Sequence, residues 1–238
     1  NSEGGKIVMG TSKGYISPTK PEWTSAKRAV SLYLRNRDSD SKDNAMSKYA
    51  AAMSSTNAVS SSAFSSSAGG VLGFAKGISS NGLNETLIEF GRQDLIGKDS
   101  GEILDAIMDQ FTNGSATLDD SLAKDAISKA FENLEIETAD DLGKVDIDQL
   151  LGEMVIEFIN INFDLRFDER IGKGRTPAEK AEILDDMHNY VANTLHGKLN
   201  AKQISKLDFS KLQASEIVKE TLEDAYTTFQ EYYGGKES

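Results

Sequence analysis

The chain has 238 residues, of which 38% are apolar, and no cysteine. This excludes disulfides, thiolate metal sites and a cysteine nucleophile. The net charge is −12, yet residues 1–50 hold nine Lys/Arg against five acids, so the acidic excess lies in the remainder. Such a body repels phosphate backbones, so direct nucleic-acid binding is not expected. No apolar run approaches the length of a membrane span, and the cytoplasm is the expected location.

Residues 1–21 show no apolar periodicity. Gly4, Gly5, Gly10, Gly14, Pro18 and Pro21 punctuate them, and they read as an extended, flexible basic arm. Met9-Gly10 reads as a translation start. Removal of Met9 would expose the Gly10 α-amine, whose pKa near 8 leaves a useful neutral fraction. The N-myristoylation pattern fails, because Gly14 stands where Ser or Thr is required.

A first helix is expected from about Trp23, with Ala26, Val30, Tyr33 and Leu34 at helical spacing. Trp23 itself has two readings, a core residue at a helix start or an anchor for a partner. Asn36–Asn44 reads as a polar turn, followed by a helix over Ala45–Met53. The Ser/Gly/Ala-rich stretch 54–82 reads as a closely packed buried helix over Ser60–Ile78, with a linker as the alternative.

Further helices are expected over Leu83–Phe90, behind Asp99-Ser-Gly-Glu102, and behind Thr117–Asp120, the last two carrying capping-box spacing. Asp146–Ile171 reads as the central core helix, apolar on several faces. Gly172–Arg175 breaks it and marks a candidate lobe boundary at 172–176. Thr176-Pro177-Ala178-Glu179 then starts a helix running to Leu195, which Gly197 is expected to stop. A last helix covers Ser210–Tyr233. No period-2 strand is present. The expected fold is all-α: a multi-helix, bundle-like domain over 22–238 behind an arm at 1–21.

Catalytic signals are sparse. Glu182, Asp185 and His188 share a helix, and the Asp185/His188 spacing matches half of a di-iron bundle motif. That motif must occur twice, so a solvated acidic face is the ordinary reading and a metalloenzyme the minor one. His196, just before Gly197, reads as a cation at a helix end. The loop Ile171–Thr176 is a weak anion-binding signal. No phosphate loop and no Gly-x-Ser-x-Gly elbow occur. No metal, cofactor or catalytic residue is assigned.

Three stretches together, "MGTSKGYISPTKPEW", "AGGVLGFAKGISSNGLNETLIEFGRQDLIGKDSGEILDAIMDQF" and "TLDDSLAKDAISKAFENL", resemble the QatB family of the bacterial Qat anti-phage defence system. The resemblance implies a non-enzymatic accessory protein that binds the QueC-like enzyme QatC, with the QatA ATPase and the QatD nuclease as further candidate partners. QueC-like enzymes related to QatC can join a deazaguanine carboxylate to an N-terminal glycine. By that likeness Gly10 becomes the modification acceptor, and Gly10, Thr11, Ser12, Lys13, Gly14, Tyr15, Pro18, Pro21 and Trp23 the partner-binding residues. A scaffold self-assembling through the small-residue helix is the alternative.

Overall fold

The computed structural model describes residues 20–56, 59–199 and 211–234. Within them lie helices α1 (Pro21–Asn36), α2 (Ser39–Thr56), α3 (Val59–Asn81), α4 (Leu83–Glu89), α5 (Ser100–Phe111), α6 (Leu118–Asn133), α7 (Ala139–Leu142), α8 (Ile147–Gly172), α9 (Pro177–Leu199) and α10 (Lys211–Gly234). No strand occurs among the described residues, so the all-α expectation holds.

Local chemistry explains most helix starts. Asp99 accepts from the Gly101 amide at 2.9 Å to cap α5, and Asp146 accepts from Gln149 at 2.8 Å to cap α8. Thr117 and Asp120 form a reciprocal capping box on α6. Thr176 and Glu179 do the same on α9, at 2.7 and 3.2 Å.

Three boundaries differ from the sequence reading. The polar turn expected over 36–44 shrinks to Arg37 and Asp38, because the Asp38 carboxylate accepts from the Ser41 amide at 2.7 Å and starts α2 early. Arg37 takes the left-handed conformation (φ 55°) that lets its amide close α1 on Tyr33. The short α7 was not expected; Thr138 and Asp141 box its first turn. Finally, α9 runs through Gly197 to Leu199. Its inner face, with Met187, Val191 and Leu195 buried, outweighs the roughly 1 kcal/mol that a helical glycine costs.

The Ser/Gly-rich segment is a helix, α3, with Phe64, Ala68, Val71, Leu72, Phe74 and Ala75 buried. Its small residues admit close neighbours. A Cβ on Gly69 would lie 2.7 Å from the Ser215 backbone nitrogen of α10, and one on Gly70 2.5 Å from the Phe111 ring. The small-residue face is thus occupied within the chain. α10 lies against α2 and α3, while α6 and α9 flank α8. One cluster of buried side chains runs from α1 to α10, with Phe158, Phe163 and Phe167 of α8 among its largest members. Gly174, at φ +72°, turns the chain after α8, and α9 returns antiparallel along it.

Candidate functional site

The first residue described is Lys20. It is extended (φ −60°, ψ 152°), and Pro21 follows at the first helical position, where its missing amide costs nothing. Lys20 and Pro21 are exposed, but two residues on Trp23 is only 1% exposed. Its indole N–H donates to Thr56 Oγ1 at 2.9 Å, tying the start of α1 to the end of α2. Thr56 in turn donates to the Ala52 carbonyl.

Around the indole, Tyr49 and Phe167 lie 6.2 and 6.5 Å away between ring centroids. Tyr49 meets Phe163 edge-on at 5.3 Å and donates its hydroxyl to the Ile159 carbonyl at 3.0 Å. The Arg166 guanidinium sits over the indole, 4.8 Å from its centroid, and donates to Asn162 Oδ1 at 2.8 Å. Such a cation over an aromatic face adds attraction beyond packing. Of the two sequence readings of Trp23, the structure places it in the core. Gly10, Thr11, Ser12, Lys13, Gly14, Tyr15 and Pro18 lie outside the described residues.

The candidate metal residues do not converge. Glu182 faces Arg37 at 3.7 Å, Asp185 is exposed, and His188 is 2.7 Å from Asp164 of α8. Among the described residues no three His, Asp or Glu side chains are placed to hold a metal ion. His196 also pairs across the helix seam, 2.8 Å from Glu153.

Sequence reasoning missed these cross-helix partners, because Asp164 and Glu153 stand 24 and 43 positions away. Burial would lower the His188 pKa, but the Asp164 hydrogen bond and charge outweigh it and raise the value above the ordinary imidazole range. Burial also raises Glu157, two turns before Asp164 on α8.

A third cluster joins α1, α2 and α9. Lys42 reaches Asp186 at 2.6 Å, and the Tyr33 hydroxyl donates to the same carboxylate. Partial burial pushes Asp186 up, yet these two donors hold it below the usual carboxylate range. Burial and the carboxylate together raise the Tyr33 phenol, which stays protonated as a donor. The cluster fastens the first hairpin to α9.

No described helix is long and apolar enough to cross a membrane. No curated protein and no solved structure matches the chain. A family model does, described as Qat anti-phage system associated protein QatB. It covers residues 38–229, from the turn before α2 into the last helix, and the chain therefore belongs to that family.

Proposed function

We propose that the chain is a non-enzymatic component of Qat anti-phage defence that binds the QueC-like enzyme QatC and presents its N-terminal segment, Gly10–Pro21, to it. Family membership supports the defence role. The arm reading is carried by one observation: the chain enters the body at an exposed Lys20-Pro21 step, two residues before a fully buried Trp23. A segment rooted so firmly is held at a fixed exit point, which lowers the entropy lost when a partner grips it. Its composition, Gly and Pro with Lys13 and Lys20 and no acid over 10–21, suits entry into a narrow anionic cleft.

Gly10 is the acceptor in this reading, with its α-amine as nucleophile once the residues before it are removed. QatA and QatD are further candidate partners. Co-purification with QatC tests the proposal. The full chain retains QatC, whereas a chain lacking residues 1–19 loses it and unfolds at an unchanged temperature. Undiminished retention by the shortened chain overturns the arm's role.

A further inference from the structure

A groove of about 980 Å3 opens between α1, the middle of α2 and the end of α8. Lys27, Arg28 and Arg35 of α1, Lys48 of α2, and Arg170, Lys173 and Arg175 at the α8–α9 turn all line it, and no Asp or Glu does. That is a concentrated positive field on a chain of net charge −12.

Four of these cations are not neutralised locally. Among the described residues, no carboxylate lies within ion-pair distance of Arg28, Arg35, Lys48 or Lys173. Arg170 donates to the Ser31 hydroxyl at 2.7 Å and Arg175 to the Ile171 carbonyl at 2.9 Å. Both acceptors are neutral, so they hold the guanidinium groups in place and leave their charge to act outward. Helix C-termini account for Arg35, Arg170 and Lys173, which sit where the dipole favours cations. They do not account for Arg28 in the first half of α1, or for Lys48 in mid-helix.

We propose that this groove is a docking site for an acidic, leucine-bearing segment of a partner protein. Between the cations its wall is aliphatic, with Ala29, Leu32 and Leu34, and no aromatic ring lines it. Single-stranded nucleic acid is gripped largely through base stacking on aromatic side chains, for which this groove has no platform. The surrounding acidic body also repels an extended phosphate backbone more than a short peptide, whose few carboxylates lie within a Debye length of the groove. An acidic peptide with apolar side chains satisfies both surfaces, its carboxylates meeting the cations and its leucines the aliphatic wall.

The chain's own undescribed segments do not complement the site in charge. Residues 1–19 hold Lys6 and Lys13 against Glu3, residues 200–210 hold Lys202 and Lys206 against Asp208, residues 235–238 hold Lys236 against Glu237, and residues 57–58 carry no charge. A second copy brings its own net charge of −12 and repels the first.

Fluorescence anisotropy of the full chain with a labelled Glu/Leu peptide tests the site, with labelled single-stranded DNA and RNA of equal charge as competing probes. The peptide binds saturably at low salt, more tightly than either nucleic acid. Arg28→Glu/Lys48→Glu/Lys173→Glu weakens it by about tenfold or more. Lys98→Glu/Lys144→Glu/Lys219→Glu, the same change in net charge away from the groove, alters it less than about twofold. Absence of saturable binding, an equal loss in the second triple variant, or tighter binding of DNA or RNA overturns the proposal. So does groove-dependent self-association in sedimentation.

Discussion

At the residue scale, Trp23 decides how the N-terminus is read. Its indole fills a pocket closed by Tyr49, Phe167 and Arg166 and makes one sequence-distant hydrogen bond, to Thr56. Trp23→Ala should cost about 3–5 kcal/mol of stability. Trp23→Phe keeps an aromatic body without the N–H and should cost less. Urea denaturation of both variants measures this, and an unchanged midpoint for Trp23→Ala would return Trp23 to the surface reading. Tyr226 is 4% exposed, and among the described residues its hydroxyl has no hydrogen-bond partner. A buried donor without an acceptor is a net penalty, so Tyr226→Phe should be neutral or stabilising by about 1 kcal/mol, read as a thermal shift. A clear loss of stability would show that the hydroxyl has a partner in solution.

At the element scale, α3 and the α8–α9 seam carry separate predictions. Gly69→Ala would improve the intrinsic helix propensity of α3. Its new Cβ, however, would press on the Ser215 backbone of α10, 2.7 Å away, where no flexible side chain can yield. Overpacking of this kind costs about 1–3 kcal/mol, so the substitution should destabilise. Chemical denaturation checks the sign.

The seam responds to pH. His188 titrates above the ordinary imidazole value of about 6.5 in the folded chain. Its contribution to stability is therefore complete below that pH and is lost as pH rises through the raised value. Glu157, raised by burial, acts in the same direction, since its neutral form is the one burial favours and rising pH ionises it. Amide exchange in α9 should speed up from mildly acidic to mildly alkaline pH beyond the intrinsic increase, and His188→Gln should flatten that response. An identical pH profile in the variant would remove His188 as its source.

Helix existence was legible where a cap and an apolar stripe agreed, as at Thr117, Asp146 and Thr176. Asp38 and Thr138 cap α2 and α7 just as well, but they precede polar or very short stretches in which no apolar stripe marks the helix. Gly197 misled because the stop it signals locally is overruled by packing against α8. The partners of His188 and His196 depend on how two helices align, which no local pattern in either one states.

At the scale of the whole molecule, one core joins all ten described helices. The titratable groups brought together, Tyr33 with Asp186 and Lys42, or His188 with Asp164, fasten helices to one another. What the body offers outward is an exposed Lys20-Pro21 step before the buried Trp23, and a basic groove. The family match covers 38–229 and leaves the N-terminal 37 residues outside it, so the arm rests on its own residues and on the position of its root.

Hydrogen–deuterium exchange of the full chain with and without QatC tests this account most directly. The account predicts that QatC slows exchange in the peptides covering Gly10–Pro21. Unchanged exchange there, under conditions in which QatC is bound, would contradict it.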